Sequence, residues 1–360
     1  MNNEDATLLA KRANRFSGKG GLWNASMDHH SAYRTQLHDR YMGKGTIGGN
    51  TSSLTGELDF EQMTVQGTCQ VLEKDYLRLT APPQAALVRP QPILERHLEQ
   101  LQQAYYDTNN TNKTKKKRDY LWLCSQLKAV RQDCTVQRIT NAFAIRVYET
   151  HARIALQECD LNEFNQCQTQ LKELYVTNEE NENALQHQSE FLAYRLLYYV
   201  FLSMTEQRGS SSTCADMLAL LRSLRMMVQT NQDKEQAYSP AIQHALQVRH
   251  AQAMGDYHSF FQLHASAPNL GRCLTQRMVA TMQWRALVRI AKAYRPTVAI
   301  DFVLQQLGFF SCSKDEEDEE NRQTGRQWLL SCGCILTETE FITKDSIIHE
   351  PQEQIKNSLI

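Results

Sequence analysis

The sequence predicts an all-α protein: a right-handed helical repeat of stacked helix pairs that ends in a winged-helix subdomain with a small β-hairpin. Three observations support this prediction. Residues 132–175 contain two consecutive runs of apolar residues at helical spacing. The turn between the two runs has a second copy further along the chain. Three short predicted helices and a predicted hairpin follow one another between residues 282 and 345.

Composition narrows the class of protein before any motif is considered. The chain has 360 residues, of which 41% are hydrophobic, which allows a large core and about two domains. Its formal net charge of -1 means that contact with nucleic acid or a membrane must come from local patches. The sequence begins without an apolar signal segment, and its most apolar stretch, residues 196–202, is too short to cross a bilayer. We therefore expect a protein of the cytosol or nucleus, without a membrane partner.

The N-terminal residues 1–58 are rich in Gly, Ser, Asn and His, which predicts a disordered tail with one short helix at Leu8–Phe16. Helical spacing begins near Gln70. A first short helix, ended by Pro82 and Pro83, has the inward residues Val71, Leu72, Tyr76 and Leu79. Pro92 predicts the start of the next helix, whose inward residues are Ile93, Leu94, Leu98 and Leu101. A polar insertion precedes a third helix, with Tyr120, Leu123, Leu127 and Val130 inward.

The two central runs predict amphipathic helices joined by a tight turn. The inward residues of the first are Ile139, Phe143, Val147, Thr150 and Ile154. Those of the second are Phe164, Cys167, Leu171, Leu174 and Tyr175. Asp160 stands three residues before Glu163, the spacing of an N-terminal capping box with Asp as the cap. We expect Tyr148 and Arg153 to hydrogen-bond to neighbouring helices. The pattern is that of a packing unit, so it favours a scaffold over an enzyme.

The turn of this pair recurs later in the chain. Arg153, Ala155, Cys159, Asp160 and Phe164 correspond in spacing to Arg249, Ala251, Gly255, Asp256 and Phe260. The small residue lets the first helix end, Asp caps the second, and Phe returns towards the small Ala. Such recurrence is typical of TPR-like and PCI-like repeats, whose neighbours bury faces that one pair cannot bury alone. The alternative is a coincidence between two ordinary helical hairpins.

Further helices are predicted at residues 191–204, buried on most sides, and near residues 214–228. In the C-terminal segment, a helix at residues 282–293 has Trp284, Leu287, Val288 and Ala291 inward. Pro296 predicts the start of a short helix that contains Val298, Phe302, Val303 and Leu307 and is ended by Gly308.

An acidic loop at residues 314–320 is predicted to precede a third helix at 321–332, with Trp328 and Leu329 inward. Alternating apolar residues, Ile335 and Phe341 among them, then predict the hairpin. The predicted domains are the tail 1–58, a helical-repeat body at 59–279, a winged helix at 280–348 and a C-terminal tail at 349–360.

Several segments resemble the SAC3/GANP family, in particular its THP3-like branch. They are VQGTCQVLEKDYLRLTAPP at residues 65–83, SQLKAVRQDCTVQRI at 125–139, VYETHARIALQECDLNEFNQCQTQL at 147–171 and the basic KRANRF at 11–16. The likeness covers roughly residues 60–345. It implies a helical-repeat body ending in a winged helix that docks a PCI-domain protein. It also implies a small acidic disordered partner of the Sem/Dss type, a role in nuclear messenger RNA processing, splicing and export, and no catalytic residues or cofactors.

Three groups of basic residues form the candidate nucleic-acid surface. The first is a dense run, Lys113, Lys115, Lys116, Lys117 and Arg118; the second is a helix face, Arg285, Arg289, Lys292 and Arg295; the third is Arg322 and Arg326. The run could equally be a solvated loop tip or a localisation signal, and the helix face an ordinary exposed side. The acidic run before the third helix weakens the case for groove binding.

The residues that could suggest metal or acid–base chemistry form no constellation. Cys332 and Cys334 have no matching second pair, so their spacing does not predict a zinc site. The histidines in question are His29, His30, His151 and His264. His151 lies off the inward face and lacks a second ligand one turn later, which indicates a structural or surface role. The alternative function is that of a pure protein-interaction scaffold of the proteasome-lid or translation-factor type. The sequence contains no motif of a hydrolase or a metalloenzyme.

Overall fold

The computed structural model describes residues 64–110, 119–205, 211–230, 238–309 and 316–350. The predicted tail 1–58 with its helix at Leu8–Phe16, the basic run from Lys113 to Arg118 and most of the C-terminal tail lie outside these ranges. Within them the protein is mostly helical, as predicted.

The described residues form eleven α-helices and three short strands. The first seven helices are α1 Gln91–Asn110, α2 Tyr120–Val136, α3 Ala142–Gln157, α4 Leu161–Thr177, α5 Gln188–Thr205, α6 Ser211–Thr230 and α7 Pro240–Met254. The remaining elements are α8 Tyr257–Ala265, α9 Gly271–Ala293, β1 Thr297–Ala299, α10 Ile300–Gln306, α11 Glu316–Ser331, β2 Ile335–Leu336 and β3 Glu340–Ile342.

The prediction of a helix between Gln70 and Pro83 is wrong. Residues 64–84 have no regular secondary structure, and only a 3-10 turn at Ala85–Leu87 precedes α1. We call residues 64–88 the N-terminal strap. Its apolar residues do not form a buried face, since Val71 and Leu79 are exposed. The helical spacing of these residues was therefore fortuitous.

The strap forms no helix because polar side chains of α2, and of Gln137 directly after it, form hydrogen bonds with its backbone. The amide oxygen of Gln126 accepts from the Lys74 backbone N–H at 3.0 Å, and the Gln132 side chain donates to the Leu77 carbonyl at 2.9 Å. Gln137 accepts from the Gly67 N–H at 3.0 Å. Backbone groups that are satisfied in this way need no helix.

Helices α1 to α5 follow their predicted apolar faces, except that Ile139 precedes α3, which begins only at Ala142. Leu94, Leu98, Leu127, Val130 and Val147 are all fully buried in one cluster that joins α1, α2 and α3. A second cluster contains the inward side of α4, most of α5 and parts of α6 to α9. Helix α5 is buried on most sides, as predicted. Within the described part of the chain, no helix combines the length and the apolar character needed to cross a lipid bilayer.

Helix α9 is longer than predicted and runs through the proposed boundary at residues 279/280. Its Met282 belongs to the large cluster, whereas Ala286 begins a separate cluster formed with α10, α11 and the strands. A single rigid helix therefore carries residues of both cores. We call residues 286–350 the C-terminal unit.

Two predictions for the C-terminal unit need correction. Pro296 precedes strand β1, which contains Val298, and the helix starts only at Ile300. The acidic run is not all loop, because α11 begins at Glu316. Carboxylates in a first helical turn are compatible with the helix dipole, which explains why the run starts a helix.

The predicted hairpin is confirmed and belongs to a larger sheet. Strands β2 and β3 are antiparallel, with Leu336 opposite Phe341. Strand β1 pairs antiparallel with the other edge of β3, with Val298 opposite Phe341, so the strand order is β1-β3-β2. Phe341 is fully buried, whereas Ile335 is exposed, so the two do not share an inward face.

Candidate functional site

The repeated motif forms the same turn twice. Cys159 and Gly255 have left-handed backbone angles, with φ of 63° and 64°. In the first copy the Asp160 N–H donates to the Ala155 carbonyl at 2.8 Å; in the second, Asp256 donates to Ala251 at 2.8 Å. These are the hydrogen bonds of a helix that ends through a left-handed residue.

Both turns are also capped as the motif predicts. The Asp160 carboxylate accepts from the Glu163 N–H at 2.9 Å, and that of Asp256 from the Ser259 N–H at 3.1 Å. The Asp256 pKa is lowered by the hydrogen bonds from Ser259. Phe164 and Phe260 are fully buried. The equivalence inferred from spacing is thus an equivalence of structure.

Helix α9 links the two turns through arginines at corresponding places. Arg277 donates from Nη2 to the Cys159 carbonyl at 3.4 Å, and Arg289 donates from Nη1 to the Gly255 carbonyl. Twelve residues of helix span about 18 Å, so α9 bridges the two hairpins. Arg289, which was predicted to contact nucleic acid, is engaged in this structural role.

Gly255 and Cys159 provide a matched test of this bridge. We expect Gly255→Ala to destabilise the protein by about 1–2 kcal/mol, because alanine is strained at this φ. Its Cβ would also displace the Arg289 guanidinium. Cys159→Ala retains a Cβ already present at the same φ and should change stability by less than about 0.5 kcal/mol. Urea unfolding of the two variants measures both values, and equal effects would argue against the bridge.

The other predicted basic residues divide into two classes. Arg326 is structural, since its guanidinium donates to the Glu338 carbonyl at 3.0 Å and the Thr337 carbonyl at 2.9 Å. Arg322 lies 3.6 Å from the Glu319 carboxylate. Arg285, Lys292 and Arg295 are exposed and form no ion pair with any residue that the structure describes. Of the basic residues that the sequence analysis assigned to a nucleic-acid surface, only these three remain available for a ligand within the described ranges.

The sequence did not predict a buried polar group between α2, α3 and α4. Arg131 donates to Glu163 at 2.5 Å and to the Cys167 sulfur at 2.9 Å, and Lys128 lies 2.8 Å from the second Glu163 oxygen. His151 Nε2 lies 3.6 Å from the Cys124 sulfur. A signal existed in the sequence: Arg131 follows the inward Leu127 by four residues, so a charge was placed on a buried stripe.

Some of these side chains could in principle hold a metal ion. The donor atoms of His151, Glu163 and Cys167 lie within 4.8 Å of one another, as do those of Cys124, Asp160 and Glu163. However, both oxygens of Glu163 already face cations, Arg131 and Lys128. Burial also raises the pKa of the Cys167 thiol to about 12, which disfavours the thiolate that a metal requires. The geometry therefore favours an ion-pair network over a metal centre.

His151 is completely buried, although the sequence placed it off the inward face. The reason is that α3 packs against helices on several sides, α1, α2, α4 and α9. Burial lowers the pKa of His151 well below its usual value, and the charges of Arg131 and Lys128 lower it further. The imidazole is therefore neutral in the folded protein.

This burial predicts a pH dependence of stability. Below the unfolded-state pKa of about 6.5, the unfolded chain binds a proton at His151 that the folded chain does not bind. Stability should thus fall as the pH drops below about 6.5, by up to about 1.4 kcal/mol per pH unit from this group. His151→Gln should remove this contribution to the pH dependence of the free energy of unfolding, measured between pH 7 and pH 5. The exposed His258→Gln serves as control, and equal slopes in the two variants would contradict the prediction.

A second network confirms the prediction for Arg153. Its guanidinium donates to Glu190 on α5 at 2.8 Å, and Tyr175 donates to Glu149 at 2.7 Å. Burial raises the pKa of Glu149. Burial would also raise the pKa of Glu190, but the hydrogen bonds from Arg153 and Tyr194 lower it below its usual value. The network joins the first hairpin to the next helix.

The fold and these networks define a mostly helical protein, built on two helical hairpins with the same capped turn and carrying a small helix-and-sheet C-terminal unit. The sequence of residues 59–321 matches the model of the SAC3/GANP family. The chain belongs to the SAC3/GANP family.

Curated relatives agree with this assignment. A THP3 homologue of Schizosaccharomyces pombe is 40% identical over 260 residues, which cover 72% of this chain and 58% of the relative. A leukocyte receptor cluster member 8 homologue of Xenopus laevis is 37% identical over 257 residues, 71% of this chain and 28% of the relative. SAC3 family protein A of Arabidopsis thaliana is 34% identical over 311 residues, which cover 83% of this chain and 28% of the relative. The chain thus spans between about a quarter and three fifths of the length of these relatives.

Proposed function

We propose that the protein is a non-catalytic scaffold subunit of a nuclear complex that acts in messenger RNA processing, splicing and export. Membership of the SAC3/GANP family and the likeness to THP3 support this role. The described ionisable clusters support the non-catalytic part, because their charges are largely buried and are paired with one another.

In this proposal the helical body is a PCI-like repeat and the C-terminal unit is a winged helix. The order of its elements, α9, β1, α10, α11, β2 and β3, supports the second assignment, because three helices alternate with a three-stranded sheet. The winged-helix end would dock a PCI-domain protein. A small acidic disordered protein of the Sem/Dss type would complete the assembly.

One observation carries the docking proposal: an exposed apolar patch at the β2 edge of the C-terminal unit. Leu330 is 57% exposed, Ile335 45% and Ile347 83%. Ile335 and Ile347 lie on neighbouring segments, because the Ile335 N–H donates to the Ser346 hydroxyl at 2.8 Å and the His349 N–H to the Cys332 carbonyl at 3.0 Å. Leu330 lies in the last turn of α11, which leads into the first of these segments. We call these three residues the apolar patch. Grouped exposed apolar side chains are typical of a protein-binding surface.

Affinity purification followed by mass spectrometry tests the docking. The tagged full-length protein should recover a PCI-domain protein, and Leu330→Asp combined with Ile347→Asp should lose it, because two carboxylates would be desolvated in the interface. Leu121→Asp is a matched control: Leu121 is 50% exposed near the start of α2, where a carboxylate suits the helix dipole. Retention of the partner by the double variant would contradict docking through the patch.

RNA is the second proposed ligand, and Arg285, Lys292 and Arg295 support it because they are exposed and not paired with any carboxylate in the part of the chain that the structure describes. The alternative is a protein-interaction scaffold of the proteasome-lid or translation-factor type. The two differ in their response to salt: phosphate contacts release counterions, so RNA affinity should fall steeply with salt concentration. Binding weaker than about 10⁻⁴ M, or a flat salt response, would favour the alternative.

A further inference from the structure

A cavity of about 210 Å³ lies between the N-terminal strap and the last turns of α2. We call it the strap cavity. Its apolar lining includes Leu79, Pro82, Pro83, Leu87 and Val136. An apolar cavity of about 150 Å³ accommodates a benzene ring, whereas pockets for drug-sized ligands and cofactors have volumes of about 300–1,000 Å³. The strap cavity therefore fits one apolar side chain rather than a cofactor.

Polar contacts at the base of the cavity hold it open. Lys74, Gln132 and Asp133 all line it. The Lys74 ammonium lies 2.7 Å from the Asp133 carboxylate, and the Gln132 side chain donates to the Leu77 carbonyl at 2.9 Å. These contacts fix the strap against α2. The strap therefore cannot collapse onto the gap and fill it with its own leucines.

Two apolar side chains that line the cavity also face solvent. Leu87 is 61% exposed and Leu79 38% exposed, and Pro82 between them is exposed as well. Apolar side chains grouped at the mouth of a cavity are typical of a protein-binding surface. An occupant that covers this mouth as well as the cavity must be larger than a single side chain, which indicates a polypeptide.

The charge at the mouth is positive. Arg78 lines the cavity, is exposed and forms no ion pair in the part of the chain that the structure describes. Among the described lining residues Asp133 is the only acid, and it is 1% exposed and already bound to Arg89 and Lys74. Arg78 is thus complementary to a carboxylate of the occupant, which it can bind through charge-assisted hydrogen bonds.

We propose that the strap cavity binds a short peptide segment of a partner protein, which inserts one apolar side chain between Leu79, Leu87 and Val136 and places a carboxylate on Arg78. Phosphates of RNA would also be attracted by Arg78, but the described lining contains no aromatic ring on which a base could stack. The observations therefore favour a peptide. The site goes beyond the proposed docking of a PCI-domain protein, which uses the apolar patch.

Selection from a phage-displayed library of random 12-residue peptides tests the proposal. The immobilised full-length protein is the target, and its Leu87→Asp variant removes peptides that bind elsewhere. We expect the surviving peptides to share a large apolar residue close to Asp or Glu. Should Leu87→Asp not fold, Ala81→Trp replaces it, because Ala81 also lines the cavity and tryptophan would obstruct it. A selection that yields no surviving peptide would overturn the inference.

Fluorescence anisotropy with the best selected peptide tests the role of Arg78. Arg78→Glu should weaken binding roughly 10-fold or more, because a charge-assisted hydrogen bond becomes a repulsion. Replacing the acid of the peptide by Lys should weaken binding to the wild type and restore binding to Arg78→Glu. A structural role of Arg78 would not produce this exchange. Equal affinity of the peptide for the wild type and Arg78→Glu would contradict the proposal.

Two control variants keep the site separate from other surfaces. Val176→Asp should bind the peptide like the wild type, because Val176 on α4 is 61% exposed, as is Leu87, but does not line the cavity. Leu330→Asp combined with Ile347→Asp should also bind it normally. Loss of the peptide in this double variant would place the peptide on the apolar patch and overturn the inference, whereas recovery of a PCI-domain protein remains a separate measurement.

Discussion

Replacing Asp133 with alanine is expected to destabilise the protein by about 3–5 kcal/mol, because it leaves a buried guanidinium without its counterion. The Arg89 side chain is 0% exposed and that of Asp133 1% exposed, with Nε and Oδ2 2.7 Å apart. Asp133 also binds Lys74 at 2.7 Å. One carboxylate thus holds both the start of α1 and the middle of the N-terminal strap against α2.

The same variant should release the strap. Arg89 donates to the Leu72 carbonyl at 2.5 Å and Lys74 to the Leu87 carbonyl at 2.7 Å, so both cations join strap backbone to Asp133. Limited proteolysis should cleave residues 64–88 faster in the variant, since the backbone of the strap becomes accessible. Urea unfolding gives the stability change, with exposed Glu99→Ala on α1 as control, expected within about 0.5 kcal/mol. A loss below about 1 kcal/mol would show that the pair is dispensable.

How much of this fold can be predicted from sequence depends on the range of the interactions that determine each element. Helices α1 to α5 and the turn at Asp160 follow from apolar spacing and capping residues within a few positions. The backbone path of the strap depends on Gln126 and Gln132, about fifty residues later, which no local pattern reveals. Strand β1 has three residues and pairs with β3 across more than forty positions, so it shows no alternation of its own.

The candidate site shows the same division. Exposure of Arg285 and Lys292 followed from their helical spacing, whereas Arg295 lies beyond the end of α9. The engagement of Arg289 and Arg326 depends on carbonyls of distant turns. The buried ion pairs carried a signal that the sequence analysis did not use. Asp133 lies three residues beyond the inward Val130, and a charge on an inward stripe implies a buried partner.

These buried charges also bear on what the protein does. Glu163 joins α4 to α2 through Arg131, and Glu190 joins α5 to α3 through Arg153. Each pair connects one helical hairpin to a neighbouring helix, and each requires its partner at one register, because an unpaired buried charge is costly. Such pairs favour a single arrangement of the stack, and a fixed arrangement keeps separate binding surfaces at a fixed distance.

Phe164→Ala is expected to cost about 3–5 kcal/mol, and Phe260→Ala a similar amount, if the two turns are equivalent packing units. Both side chains are fully buried. Phe164 contacts the Tyr194 and Tyr198 rings at centroid distances of 6.5 and 5.9 Å, and Phe260 stacks on His264 at 6.4 Å. Each alanine would leave a cavity that the surrounding helices fill only partly.

Leucine at the same positions provides the control, because it keeps most of the apolar volume and should cost clearly less than alanine. Urea unfolding followed by circular dichroism gives the four values. A large loss for Phe164→Ala together with a loss below about 1 kcal/mol for Phe260→Ala would mean that the second copy shares only the geometry of the turn. Comparable losses would show that the phenylalanine returning from each capped helix stabilises each hairpin, the property that makes a recurring turn a structural repeat.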